Sequence, residues 1–142
     1  MKSFFRELPT PILTYANYNK FISCAGTFPF PFLLFLISHQ YWFVNTEITS
    51  EEEQINHLTD IVSNLPQANY DLLKFLFSLL YDLSLLADET QMTAENLAKV
   101  ISPNLIWKES PDINDLSLVD DALKGNSIVN FMILNNDKIF VS

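Results

Sequence analysis

The sequence of 142 residues has little of what many binding and catalytic sites require. Its two glycines cannot build a glycine-rich phosphate loop, and its two histidines cannot supply a three-histidine zinc site. It contains neither a G-x-S-x-G motif nor a P-loop. Its one cysteine, Cys24, cannot form an internal disulfide, which is typical of a reducing compartment. We therefore expect a cytoplasmic protein that holds no metal and no cofactor.

Basic residues are also scarce, because eight lysines and arginines stand against 17 acidic residues, for a net charge of −9. Binding to nucleic-acid phosphates requires a basic surface, so the charge predicts no nucleic-acid partner. An acidic disordered tail would be poor in aromatic residues, whereas aromatic residues make up 13% of this chain. The length and composition together indicate one globular domain.

Formal charges are missing altogether between Lys20 and Glu47, and residues 28–37 form a continuous apolar run with two prolines. A transmembrane helix needs about 20 largely apolar residues, and a Ser-His-Gln sequence ends this run after ten. A secretory signal peptide would place its apolar core directly after an N-terminal charged region. We favour a segment that packs as buried or half-buried structure, with membrane contact through residues 28–44 as the weaker alternative.

Apolar residues recur at helical spacing along most of the rest of the chain. Ser50 and Glu53 form a capping-box pattern, Asn69 and Thr93 precede two further helices, and Gly125 is placed like the glycine that ends a helix. We find no strand alternation, so the prediction is an all-α antiparallel helical bundle. The predicted helices cover residues 2–8, 15–22, 51–65, 70–86, 94–101 and 127–137.

Three groups of reactive side chains have a simple structural interpretation. Three acids at Glu51–Glu53 suit the positive end of a helix dipole better than a metal site. Asp120 and Asp121 are adjacent on a helix, point in different directions and are interpreted as solvated. Cys24 with a histidine could suggest a thiol nucleophile, but a small apolar cysteine is the favoured interpretation. Chemistry alone predicts an acidic helical domain with an interaction role.

Three segments carry a resemblance to a known family. Residues 2–12 resemble the L-K-x-(F/Y)-(L/F)-R-E-L-P-x-P-L segment of RhoGAP domains, residues 65–73 resemble L-P-x-x-N-x-x-x-L, and residues 92–105 are similar to M-x-x-x-N-L-A-x-V-x-x-P-N-L. The chain is therefore identified as a partial RhoGAP domain over residues 1–142, truncated at its N-terminal side. The resemblance covers residues 2–23 and about 50–140, and it leaves residues 25–49 as an apolar insertion.

The resemblance implies a regulator rather than an enzyme, acting in signal transduction on Rho/Rac-type small GTPases. The family stimulates their GTP hydrolysis with an arginine finger that neutralises charge in the transition state. That arginine lies upstream of the R-E-L-P helix in a G-(I/V)-(F/Y)-R-type loop, and the one arginine here, Arg6, already occupies the R-E-L-P position. We therefore expect no catalytic residue, with weak activation or none.

The resemblance also implies which residues bind the GTPase. Lys2 and Arg6 match the helix that supports the finger loop and faces the GTPase. Asn104 matches the P-N-L asparagine, which contacts the nucleotide-binding region, and we expect its amide to be free just beyond a helix end. Asn96 matches the N-L-A asparagine, for which a hydrogen bond between helices and a GTPase contact are both open. Ser102 stands where the family has glycine or alanine.

Two other functions remain open from the sequence. The chain could bind a GTPase without activating it, as a scaffold, or it could be a fragment without a stable function. A truncated bundle would expose apolar faces of the predicted 70–86 helix, and large exposed apolar patches favour association.

Overall fold

The computed structural model describes Phe5 and residues 7–25, 50–109 and 117–141. Lys2, Arg6 and the apolar run at 28–37, for which the sequence makes predictions, lie outside the described residues. Of the proposed insertion at 25–49, the structure describes only Ala25, which is buried. The described residues contain helices and no strand, which confirms the all-α prediction. None of their helices is both long and apolar enough to cross a membrane.

A short 3-10 helix at Tyr15–Asn17 leads into the first of seven α-helices that the described ranges contain. We number them α1 Tyr18–Ser23, α2 Glu51–Ser63, α3 Gln67–Leu85, α4 Ala87–Thr90, α5 Ala94–Leu105, α6 Ser117–Leu134 and α7 Asn136–Ile139.

One apolar core joins these helices, with α5 packed along α6 and α3 in contact with both. Phe77 stacks on Phe140 with ring centroids 5.4 Å apart, which fastens the C-terminal end of the chain to α3. Burial of such side chains is the main favourable term in folding. The largest fully buried side chains include Phe5, Leu13, Phe21, Leu58, Leu73, Phe77, Leu105, Ile128 and Met132.

The start of α2 is set by local sequence alone. The Ser50 hydroxyl accepts a hydrogen bond from the Glu53 N–H, and the Glu53 carboxylate accepts one from the Ser50 N–H, both at 3.2 Å. This reciprocal pair satisfies two amide groups that have no partner inside the helix. The predicted capping box is therefore confirmed.

The prediction that Asn69 caps a helix starting at Tyr70 is wrong. The helix α3 begins at Gln67 with Pro66 as its N-cap, and Asn69 lies within its first turn. The Asn69 side chain donates instead to the main-chain oxygen of Ile12, 57 residues earlier. The local sequence could not indicate this acceptor, because it lies in another motif.

The predicted end of α5 before Pro103 is also wrong, since the helix continues to Leu105 with Pro103 inside it. Proline removes one hydrogen bond, the one its N–H would have donated to the carbonyl of Lys99. That loss falls in the last turn, where few helical hydrogen bonds remain to be broken. The Asn104 amide adds a bond to the carbonyl of Val100 at 2.9 Å in the same turn.

Gly125 does not end a helix, because α6 runs without interruption from Ser117 to Leu134. A Cβ atom at Gly125 would lie 2.9 Å from the Ser102 Oγ atom on α5. The glycine avoids this contact and allows the close approach of α5 and α6, and the small Ser102 side chain serves the same approach. The helix predicted at 127–137 corresponds to the second half of α6 and to α7.

The helix α3 carries apolar residues on two sides. Its inner face, formed by Leu73, Leu76, Phe77 and Leu80, is buried in the core. The other side, which we name the outer stripe, consists of Phe75, Leu79, Leu83 and the C-cap residue Leu86. Phe75 is 66% exposed and Leu86 is 48% exposed. This agrees with the expectation of an exposed apolar face on this helix.

Candidate functional site

The three motif segments meet at two buried residues: Ile12, which ends the first segment, and Leu13, which follows it. The Asn69 amide of the second segment donates to the Ile12 oxygen at 2.8 Å. The Leu105 oxygen of the third segment accepts a hydrogen bond from the Leu13 N–H at 3.2 Å. We name these four residues the motif junction. Segments far apart in the chain are thus linked by hydrogen bonds to the main chain of Ile12 and Leu13.

The turn Pro11–Thr14 that enters this junction is strained. Thr14 has φ 64° and ψ 148°, a combination that is nearly restricted to glycine and costs about 1–3 kcal/mol in other residues. Its N–H donates to the Pro11 oxygen at 2.8 Å, and its hydroxyl accepts from the Asn17 amide at 3.2 Å. Such a conformation persists only where surrounding contacts hold it.

Asn96 lies in the exposed first turn of α5. Its side-chain amide donates to the Gln91 oxygen at 3.0 Å, and its N–H donates to the Thr93 hydroxyl that caps the helix. Gln91 has φ 57° in the left-handed region, which is tolerated less well by glutamine than by glycine. The observed bond is therefore local, and it joins the first turn of α5 to Gln91, the C-cap residue of α4.

Asn104 lies in the last turn of α5 and is 1% exposed. Its amide donates to the Val100 oxygen, so the expectation of a free amide beyond the helix end is wrong. The physical reason is that Pro103 does not end the helix. A GTPase contact through Asn104 requires a local rearrangement of this turn.

The structure places Asn96 and Asn104 on one helix, but at opposite ends of it. Eight residues separate them, which corresponds to about 12 Å along the helix axis. Lys2 and Arg6 lie outside the described residues, although Phe5 between them is buried in the core. The motif asparagines share one feature, because Asn69, Asn96 and Asn104 each donate to a main-chain oxygen.

A polar cluster lies beside the end of α5. Asp121 accepts a hydrogen bond from the Tyr18 hydroxyl at 2.8 Å and forms an ion pair with Lys108 at 3.1 Å. The Lys108 ammonium also lies 5.6 Å from the centre of the Tyr18 ring. The interpretation of Asp121 as solvated is therefore wrong, since its side chain is only 15% exposed. Its neighbour Asp120 pairs with Lys124 on the exposed surface.

This cluster lines a groove of about 380 Å³ between α1, the end of α5 and α6. Trp107 lies in the same groove and donates its indole N–H to the Tyr15 hydroxyl at 3.2 Å. Each charged group named here has an opposite charge or a hydroxyl as a partner.

Cys24 shows no sign of nucleophilic activation. Its thiol donates to the Lys20 oxygen at 3.2 Å, and burial raises the pKa of the thiol above its ordinary value. A raised pKa lowers the fraction of reactive thiolate. The geometry therefore favours the interpretation of Cys24 as a small apolar side chain.

The comparisons with known proteins agree with this arrangement. The family model described as "RhoGAP domain" matches residues 1–110. The chain belongs to the RhoGAP domain family. The RhoGAP match spans all three motif segments, including the four residues of the motif junction.

Known relatives of this RhoGAP chain are much longer proteins. It is 34% identical over 140 residues to Rho GTPase-activating protein 19 of Xenopus laevis, covering 99% of this chain and 25% of that protein. It is 30% identical over 142 residues to Rho GTPase-activating protein 24 of Rattus norvegicus, covering 99% of this chain and 16% of that protein. The chain thus spans about a quarter or less of the length of these curated relatives.

Solved structures show the same RhoGAP architecture. Human Rho GTPase activating protein 15 superposes with a TM-score of 0.73 at 26% identity, over 98% of this chain and 55% of that one. The BH domain of the GTPase regulator associated with focal adhesion kinase superposes with a TM-score of 0.72 at 23% identity, over 99% of this chain and 63% of that one. The second likeness is evidence for the fold alone.

Sequence reasoning missed the roles of Asn69 and Thr14. Asn69 was visible as a motif position, but its acceptor at Ile12 becomes apparent only when the chain is folded. Thr14 carries no sequence signal, because threonine is rarely found at positive φ. The junction between the motifs is therefore a finding of the structure.

Proposed function

We propose that this chain binds a Rho/Rac-type small GTPase as a regulator of GTP hydrolysis and acts in the cytoplasm. The observation that carries the proposal is the motif junction, where the three segments matched by the RhoGAP domain are linked by hydrogen bonds at Ile12 and Leu13. Such links hold the segment that follows Arg6 and the turn that contains Asn104 at a fixed spacing. Holding the two segments at a fixed spacing lowers the cost of ordering them on binding.

Four residues are proposed to bind the GTPase: Lys2, Arg6, Asn96 and Asn104. The exposed position of Asn96 supports a direct contact, in competition with its bond to Gln91. Asn104 would act after exchanging its Val100 bond for one to the partner. Lys2 and Arg6 are proposed because they match the family motif. They supply positive charge in a chain whose net charge is −9.

The proposed activation is weak or zero. Arg6 is the one arginine in these 142 residues, and it occupies the R-E-L-P position rather than that of a finger. An arginine finger contributes about 10³–10⁵ in rate, which corresponds to about 4–7 kcal/mol of barrier. Residues that position the GTPase's own glutamine could still give slight stimulation. Binding without activation, as in a scaffold, is the second candidate, and the same arginine count favours it.

Single-turnover GTP hydrolysis by a Rho-type and a Rac-type GTPase, with and without the chain, tests this proposal. Binding to each GTPase loaded with a non-hydrolysable GTP analogue is measured in parallel. We expect saturable binding to one of them, with a small acceleration or none.

The variants Arg6→Ala and Asn96→Ala should weaken that binding, while Asn64→Ala, on the exposed end of α2, serves as the matched control. A stimulation of about 10³-fold or more would contradict the missing-finger expectation. Binding without any stimulation would select the scaffold. No binding to either GTPase, together with a broad melting transition, would indicate a fragment without a stable function.

A further inference from the structure

The strained turn Pro11–Thr14 needs support from outside itself. Thr14 adopts φ 64° although its β-branched side chain disfavours positive φ. The hydrogen bond within the turn, from the Thr14 N–H to the Pro11 oxygen, is also available to ordinary turns without positive φ. Relaxation of Thr14 to negative φ would change the direction in which the chain leaves the turn. A contact beyond the turn must therefore hold this geometry.

Asn69 provides one such contact, beside the bond from the Asn17 amide to the Thr14 hydroxyl. Its amide nitrogen lies 2.8 Å from the Ile12 oxygen, at the middle of the turn, and the bond is partly buried. The next residue, Leu13, donates its N–H to the Leu105 oxygen at the end of α5. Ile12 and Leu13 are both buried, so their main-chain groups have no ready access to water as a substitute partner. The turn is thus held between the first turn of α3 and the last turn of α5.

We propose that Asn69 is a positioning residue for GTPase binding, acting through the Pro11–Thr14 turn. By holding the turn in its strained conformation, Asn69 keeps the segment around Phe5 and the turn at Asn104 in register with each other. Asn69 itself does not touch the GTPase. This inference rests on the proposed GTPase binding, whereas the support of the turn by Asn69 can be measured without any GTPase.

The choice of asparagine follows from hydrogen-bond chemistry. An amide supplies N–H donors at every pH, whereas an aspartate of nearly the same shape supplies only acceptors when ionised. In Asn69→Asp, a carboxylate oxygen would face the Ile12 oxygen and repel it. The variant therefore removes the bond while it changes the side-chain volume very little.

Two substitutions at Thr14 separate strain from other effects. Thr14→Gly removes the Cβ atom and with it the penalty for positive φ. Thr14→Ala loses the same hydroxyl but keeps the Cβ atom, so the strain remains. If Asn69 acts by holding a strained turn, Thr14→Gly should rescue Asn69→Asp and Thr14→Ala should not.

The experiment measures hydrogen exchange of the Leu13 N–H and affinity for a Rho-type and a Rac-type GTPase loaded with a non-hydrolysable GTP analogue. Asn69→Asp should lose Leu13 protection and bind about tenfold more weakly. The double variant Asn69→Asp/Thr14→Gly should recover most of both losses. Asn64→Asp is the matched control, because its amide also donates to a main-chain oxygen, that of Asp60 on the exposed end of α2. It should change neither measurement.

Each other outcome overturns the inference. Unchanged Leu13 protection in Asn69→Asp would show that Asn69 does not hold the turn. Lost protection with unchanged affinity would show that the turn does not position the binding surface. Equal rescue by Thr14→Gly and Thr14→Ala would exclude strain as the cause. If the unaltered chain binds neither GTPase, the proposed function fails and the positioning role fails with it, while the exchange data still report separately on the turn.

Discussion

The inner face and the outer stripe of α3 have nearly the same apolar composition, yet their environments differ. Phe77 on the inner face is fully buried and stacks on Phe140, whereas Phe75, two residues earlier, is 66% exposed. Hydrophobic periodicity predicts that a helix has apolar sides but does not say which side the rest of the molecule covers. The difference between the two faces comes from contacts with α5, α6 and α7.

The largest effect is expected on the inner face. Phe77→Ala should reduce the free energy of unfolding by about 3–5 kcal/mol, because it leaves a cavity in the core and removes the contact with Phe140. Urea denaturation followed by circular dichroism would measure this change. A loss of less than about 1 kcal/mol would mean that the inner face of α3 is not packed against the core in solution.

The next largest effect is expected where α5 packs against α6, the two helices that lie against the inner face of α3. Gly125→Ala should destabilise the protein by about 1 kcal/mol, because the clash with Ser102 outweighs the better helix propensity of alanine. Removing the Ser102 hydroxyl should relieve the clash.

The double variant Ser102→Ala/Gly125→Ala should therefore be more stable than Gly125→Ala alone, as thermal denaturation of the four members of the cycle would show. Additive effects of the two substitutions would argue against direct contact between them.

A small effect is expected on the outer stripe. Phe75→Ala should change the free energy of unfolding by no more than about 0.5 kcal/mol, since the ring loses few contacts. The variant should also reduce any concentration-dependent association, which sedimentation velocity would measure, because the largest exposed ring of the stripe is gone. A loss of stability close to that of Phe77→Ala would abolish the distinction between the two faces.

The smallest effect concerns charges on the exposed side of α5. The Lys99 ammonium, through its hydrogen bond and its charge, lowers the pKa of Glu95. A lowered pKa in the folded state stabilises the protein above the pKa of the unfolded state, and that stabilisation is lost as the pH falls through the folded-state value.

Lys99→Ala should therefore raise the pKa of Glu95 toward its ordinary value, as an NMR titration of the carboxyl carbon would show. Both side chains are exposed, so stability at neutral pH should hardly change. An unaltered Glu95 titration would contradict the pairing.

Predictions from the sequence succeeded where the interacting residues are close in the chain. The capping box of Ser50 and Glu53 and the Thr93 cap of α5 each involve residues within one helical turn. They failed where the deciding partner is distant. The sequence predicts that Asn69 caps a helix, whereas its amide bonds to Ile12, and that Asp121 is solvated, whereas its carboxylate pairs with Lys108.

Proline and glycine were the other source of error. Proline and glycine predict a helix end correctly only when no tertiary contact determines where the helix ends. Pro103 is accommodated in the last turn of α5, and Gly125 lies inside α6, where it faces Ser102 closely. Tertiary packing therefore reversed the local meaning of both residues.

The sequence by itself determined the all-α class, the starts of α2 and α5, and membership of the RhoGAP family, because these depend on residue types at short and fixed spacings. Only the tertiary structure decided that Ile12, Leu13, Asn69 and Leu105 form one junction and that one side of α3 is covered. Such contacts join residues from opposite parts of the chain. Their partners are set by the packing of whole helices, which no local pattern records.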